Sequence, residues 1–154
     1  MLKPVAILHS LEDSPQWLDQ QLVYAYIHAV YEVPELGLRL RIGAHSSVLD
    51  EWLEAKNELQ FCIITAWNPG SKLRSRAENE VRNAALATAL SLQAACVLTA
   101  RNTSPEGAWL EESFFAAGLS QQAVVALAGH FEQNAVLAGK KGRQCALWWI
   151  KNNE

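Results

Sequence analysis

The 154-residue chain lacks most of the features that declare a function outright. Its three cysteines, Cys62, Cys96 and Cys145, are far apart and flanked by apolar residues, which excludes a secreted disulfide framework and makes each a small buried hydrophobe. The four histidines, His9, His28, His45 and His130, form no pair at metal-ligand spacing, so no metal site is expected. No stretch reaches the ~20 continuous apolar residues of a membrane span. The longest candidate, Ala84 to Ala100, is interrupted by Thr88, Ser91, Gln93 and Thr99 and reads as a buried helix followed by a strand. The apolar run Val5 to Leu8 is too short for a signal peptide, so a cytoplasmic setting without membrane contact is expected. Charge of one sign is also scarce: the formal net charge is −3 and no basic run exists, which argues against a nucleic-acid binder. The dinucleotide fingerprint G-x-G-x-x-G, the phosphate loop G-x-x-x-x-G-K-[ST] and the nucleophile elbow G-x-S-x-G are all missing.

What the chain has is apolar bulk. Half of the residues are hydrophobic and 19% are charged, enough for a core in a single domain spanning 1–154. Ser14-Pro15 predicts a short helix over Gln16 to Leu22. Tyr24 to Val33 is β-rich, and Pro34-Glu35-Leu36-Gly37 turns it into the alternating segment Leu38 to Ile42, an antiparallel hairpin. Ser46 or Ser47 caps a helix to Lys56 with Val48, Leu49, Trp52 and Leu53 as its apolar stripe. Gln60 to Trp67 is a strand covered on both faces, ended by Asn68-Pro69-Gly70. A long helix from Arg76 to Leu92 follows, with Ser75 and Glu78 as a capping box. Then come a strand Ala95 to Ala100, a polar loop Arg101 to Gly107, a strand Trp109 to Ala117, and a helix from Ser120 to Phe131. Strands Ala135 to Leu137 and Cys145 to Ile150 flank the turn Lys140-Lys141-Gly142. From Phe61 the order is that of an α+β ferredoxin-like split β-α-β sandwich core, about 24–150, with an N-terminal helix and hairpin extension. An open three-layer α/β sheet, doubly wound, is the competitor.

Three polar clusters interrupt this apolar pattern. The strand ending in Thr65, Trp67 and Asn68 is followed by a helix whose first half carries Asn79, Arg82 and Asn83 on one face. Ligands of α/β sheets bind where strand ends meet helix N-termini, and an arginine with two amides suits a carboxylate, phosphate or amide. The second cluster is Trp109-Leu110-Glu111-Glu112-Ser113. On a strand Glu111 and Ser113 share a face and Glu112 opposes them, so one acid faces a site and the other solvent. The third is Glu132-Gln133-Asn134, where Asn134 has a local role as helix terminator and Gln133 has none.

These residues also carry a resemblance. Phe61-Cys62-Ile63-Ile64-Thr65-Ala66-Trp67-Asn68-Pro69, Asn79 and Asn83, Trp109-Leu110-Glu111-Glu112-Ser113-Phe114, and Phe131-Glu132-Gln133-Asn134-Ala135 together resemble the bacterial DUF3293 family, from about Tyr26 to Ile150. The resemblance implies a glycine where this chain has Glu132, which makes that corner the point of departure. The family is one of unknown function, so the resemblance implies no catalytic residue, substrate or cofactor.

The residues themselves support a small protein binding an anionic or amide-bearing small molecule. Thr65, Trp67, Asn68, Asn79, Arg82, Asn83, Trp109, Ser113 and Gln133 are the candidate ligand set. Glu111 and Glu112 are the catalytic candidates, either one as a general acid/base for hydrolase- or transferase-type chemistry. Whether the protein is an enzyme stays open at this point. The alternative is a non-catalytic interaction or regulatory module, a homodimer through a sheet edge, motivated by the aromatic strand Leu147-Trp148-Trp149-Ile150. Nucleic-acid binding, resting on Arg39, Arg41, Arg74, Arg76 and Arg82 alone, ranks last.

Overall fold

The structure, a computed structural model, describes residues 2–151. Its strands are β1 (Ala6–Leu8), β2 (Val30–Val33), β3 (Leu38–Leu40), β4 (Gln60–Ile64), β5 (Cys96–Thr103), β6 (Leu110–Ala117), β7 (Ala135–Lys140) and β8 (Ala146–Trp149). Its helices are α1 (Gln20–His28), α2 (Ser47–Ala55), α3 (Arg76–Gln93) and α4 (Gln121–His130). All eight strands join one sheet in the order β1-β8-β7-β4-β6-β5-β2-β3, and every pairing is antiparallel. The fold is therefore α+β, and the doubly wound alternative, which needs parallel neighbours, is corrected.

The sheet is covered on both faces, and the pleat of β4 distributes its side chains between them. Phe61 and Ile63 join Val23 and Ile27 of α1, Leu49 and Leu53 of α2, and Phe115, Leu137 and Trp149. Cys62 and Ile64 point the other way, against Leu86 and Leu90 of α3 and Val124, Leu127 and Ala128 of α4. Successive residues of a strand face opposite sides, so a strand buried on both reads as a continuous apolar run. Burial also pushes the Cys62 thiol up to about 12, and all three cysteines are free.

The N-terminal third departs most from the sequence reading. The helix runs over Gln20–His28 instead of Gln16 to Leu22, because Asp19, not Ser14, accepts the first free amides, from Gln21 and Leu22. Tyr24 to Ile27 is helical, with Val23 and Ile27 one turn apart and buried, and the strand begins only at Val30. The run Val5 to Leu8, which has no signal beyond its brevity, supplies an edge strand against β8. The aromatic strand β8 is thereby interior, and Trp149 is fully buried, so it offers no open edge. Among the described residues no helix is long and apolar enough to cross a membrane.

Two glycines separate conformational need from space. Gly37 (φ 64°) closes the β2–β3 turn with no atom within 4 Å of where a Cβ would stand. Gly43 (φ 85°) would place a Cβ 2.5 Å from the His9 carbonyl oxygen. Gly37→Ala is expected to cost about 1–2 kcal/mol from backbone strain alone. Gly43→Ala is expected to cost more by a further ~1–3 kcal/mol, since backbone has to move. Equal losses in paired urea titrations would show that the close approach at His9 is relieved at no cost.

Candidate functional site

The site is built where β4 stops pairing with β6. Their ladder runs to Ile64 opposite Phe114, and the same register sets Ala66 against Glu112. There the Asn83 side chain stands between the strands: its Oδ1 accepts from the Ala66 amide at 2.8 Å and its Nδ2 donates to the Glu112 carbonyl at 2.9 Å. Thr65 Oγ1 donates to the same carbonyl at 2.6 Å and accepts from the Trp67 amide at 3.0 Å. One turn earlier on α3, Asn79 Oδ1 accepts from the Asn68 amide at 2.8 Å, while its Nδ2 donates to Asn68 Oδ1 at 2.9 Å. Arg82 completes the set, donating from Nε to the Ala66 carbonyl (2.9 Å) and from Nη2 to the Phe131 carbonyl (2.6 Å) at the end of α4. The face of α3 recognised in the sequence thus points one way, toward backbone. Gln133 behaves alike, its Nε2 lying 3.2 Å from the Trp67 and Phe131 carbonyls.

Held this way, the chain turns sharply. Asn68 (φ 46°), Gly70 (φ 65°) and Ser71 (φ 61°) all adopt left-handed backbone around Pro69. Non-glycine residues in that region cost of order 1–3 kcal/mol each and persist where surroundings over-determine them. The surroundings here include Gly70 donating to the Glu132 carbonyl at 2.7 Å, and Asn134 Nδ2 donating to Ser71 Oγ at 2.8 Å. Glu132 is itself left-handed (φ 58°), which accounts for the glycine expected at this position. Its carboxylate lies 3.9 Å from Arg82 and is mostly exposed.

Against this corner opens a cavity of about 520 Å³. Trp67, Asn68 and Asn79 come from the β4–α3 connection, Trp109, Leu110 and Glu111 from the start of β6, and Leu22, Ala25 and Tyr26 from α1. Ser71, Leu73, Arg74 and Arg76 complete its rim. Of the sequence candidates, Trp67, Asn68, Asn79, Trp109 and Glu111 line this cavity. Thr65, Arg82, Asn83, Ser113 and Gln133 lie outside its lining, their polar groups engaged by protein. Glu112 faces outward on the α3 side, 3.6 Å from Arg76.

Glu111 occupies a particular position. It ends a transverse row in which Tyr31 of β2 faces Asn102 of β5, and Asn102 faces Glu111. Tyr31 and Asn102 are buried, and Ser113 donates to Asn102 Oδ1 at 2.8 Å. Burial pushes the Glu111 carboxyl up to about 7, against the opposing influence of the Asn68 side chain beside it. Burial likewise raises Tyr26, whose hydroxyl shares a 2.7 Å hydrogen bond with Ser71 Oγ. The Arg76 guanidinium sits over the Trp67 ring at 5.8 Å. Among the described residues no three His, Cys, Asp or Glu side chains assemble as a metal site.

The α1 wall has no signal in the sequence, where the aromatic run around Tyr26 reads as a strand, and the only signal for Ser71 is its place after Pro69-Gly70. Arg74 and Arg76, read from the sequence as nucleic-acid contacts, belong to the cavity lining. The network predicts its own energetics: Asn83→Ala, which leaves the buried Ala66 N–H without its partner and Glu112 C=O with the Thr65 hydroxyl in place of two side-chain donors, should lower stability by roughly 2–4 kcal/mol. Glu132→Gly should change it by less than about 1 kcal/mol, since relief of left-handed strain offsets lost chain restriction. A larger loss at Glu132 in urea unfolding would instead assign the corner to its exposed pairing with Arg82.

No curated protein and no solved structure matches the chain. A family model does: one described as a protein of unknown function (DUF3293) matches residues 64–136. The matched stretch is narrower than Tyr26 to Ile150, yet it contains all three polar clusters and excludes the α1 wall of the cavity. Residues 64–136, from the end of β4 to the start of β7, are thus similar to the DUF3293 family, as the sequence motifs suggest.

Proposed function

We propose that the cavity between α1, the β4–α3 connection and the start of β6 binds a small anionic or amide-bearing molecule, with Glu111 as the proton donor or acceptor. The observation that carries this reading is the Glu111 carboxyl in the cavity wall beside Asn68, raised by burial to about 7. A carboxyl titrating near neutral pH is matched to acid/base work, as in hydrolase- or transferase-type chemistry. Glu112, exposed on the opposite face, has no part in it. We propose further that β4, α3, β5, β6, α4 and β7 form a ferredoxin-like split β-α-β unit. Their order in the sheet, β7-β4-β6-β5, their antiparallel pairing, and the packing of both helices against one face support this.

Two measurements test the ligand reading. A fragment library screened by NMR should yield binders that move the Trp67 and Trp109 indole signals but not that of Trp17, which is exposed and outside the lining. Ala25→Phe, which fills the cavity from α1, should abolish those shifts. Fragments that bind Ala25→Phe as well as the native chain would place the site elsewhere.

The buried carboxyl carries a stability signature. Its folded pKa lies above its unfolded value, so between about 4.5 and 7 the native state holds the proton more tightly and stability falls as pH rises through that window. Above about 7 the ionised group is a standing cost. Glu111→Gln should remove this decline and leave the variant more stable than the native chain at pH 8. Parallel Tm-against-pH curves for the two proteins would show that Glu111 is not perturbed.

A further inference from the structure

The polar groups that face the cavity are nearly all donors. Asn79 has none to spare: its Oδ1 accepts from the Asn68 amide, and its Nδ2 donates to Asn68 Oδ1 and lies 3.4 Å from the Arg74 carbonyl. Asn68 Oδ1 is taken twice, by Asn79 and by the Arg74 amide at 3.0 Å, so the Asn68 Nδ2 hydrogens serve Glu111 beside it and the cavity side. Tyr26 and Ser71 bring two hydroxyl hydrogens to one mutual bond, and Asn134 donates into Ser71 Oγ, so one O–H is left over whichever hydroxyl donates. Arg74 and Arg76 add guanidinium groups at the rim. Glu111, protonated over part of the neutral range, contributes another donor. The walls between these groups are flat and apolar: Trp67, Trp109 and Tyr26, with Leu22 and Leu110.

Resting on the reading of this cavity as a ligand site, we infer that it takes a small aromatic anion. The ring lies against Trp67 and Trp109, and the oxyanion is held by Arg74, Arg76 and the Asn68 amide. Of the neighbouring carboxyls Glu111 alone lines the cavity, and burial raises it to about 7, so it opposes an anion only as pH rises above that value. Glu78 is 3.9 Å from Arg74, and Glu80 and Glu112 are 2.8 and 3.6 Å from Arg76, but none of the three lines the cavity. All are exposed pairs, of the kind that contribute little in water and yield to a bidentate ligand. Arg76 over the Trp67 ring brings the cation and an aromatic wall to the same point, where a ring bearing a carboxylate meets both at once. The volume of about 520 Å³ falls within the ordinary range of small-molecule sites.

The test is a titration of the full chain with four probes, benzoate, phenylphosphonate, benzamide and cyclohexanecarboxylate, followed at the Trp67 and Trp109 indole signals. Benzoate and phenylphosphonate should bind. Benzamide, uncharged, and cyclohexanecarboxylate, without a planar ring, should bind at least about fivefold more weakly, about 1 kcal/mol. The double variant Arg74→Gln/Arg76→Gln, altered only at exposed positions, should keep its Tm and weaken benzoate about tenfold or more. Benzamide matching benzoate, or a double variant indifferent to the anion, would overturn the assignment. If no probe binds while library fragments still bind the native chain and not Ala25→Phe, the ligand class is wrong and the cavity reading stands. If the library fails as well, both fall.

Discussion

The chain leaving β4 carries the backbone amides and carbonyls of Ala66, Trp67 and Asn68 through the interior with no strand beside them, and the site depends on how that demand is met. Buried peptide groups need partners, and a free one costs about as much as a lost hydrogen bond. The carboxamides of α3 supply them. Asn83 takes the place of the next rung in the β4–β6 ladder, bonding Ala66 N–H on one side and Glu112 C=O on the other. A side chain inserted between two strands holds them apart. The strands that pair tightly at Ile64 and Phe114 therefore separate just beyond, and Trp67 and Asn68 face Trp109, Leu110 and Glu111 across open space.

Carboxamides suit this task for a chemical reason. Each carries a donor and an acceptor about one peptide width apart and no charge, so each satisfies an N–H and a C=O without the desolvation cost of burying an ion. The one charge in the network, Arg82, is placed where that cost is offset. Its guanidinium meets two carbonyls, one of them at the carboxyl end of α4, where the helix dipole favours a cation. The same contacts tie α3 to α4 across the connection and hold the left-handed backbone at Asn68 and Ser71 that aims the chain into the cavity.

Much of the fold was legible in the sequence, and the errors have physical causes. Caps as plain as Ser46, Ser75 and Ser120 place α2, α3 and α4 within a residue or two, and the apolar run Phe61 to Ile64 places β4, whose pairing ends three residues before the expected Trp67. Tyr24 to Ile27 misled because aromatic and β-branched residues favour strands only as a packing preference, which the buried pair Val23 and Ile27 on a helix overrides. At the site, the residue types were readable and their roles were not. Asn79, Arg82 and Asn83 do share a face, but whether a face turns toward ligand or backbone depends on the separation of β4 from β6, a tertiary fact with no local pattern.

That distinction sharpens what the site is. Once Asn79, Asn83, Thr65, Arg82 and Gln133 are spent on backbone, the cavity-side groups that bond no backbone are what remains for chemistry. They are the Asn68 amide hydrogens, one hydroxyl hydrogen of the Tyr26–Ser71 pair, the rim arginines, and the Glu111 carboxyl. Glu111 is the informative member, because a half-buried carboxyl in no ion pair among the described residues, raised by burial, works against folding at neutral pH. Its row mates Tyr31 and Asn102 are satisfied by packing and by protein hydrogen bonds, through the Tyr26 carbonyl at 2.8 Å and Ser113. An acid placed at the expense of stability, beside a backbone corner held in left-handed geometry, is what supports the proposal that a molecule enters the cavity.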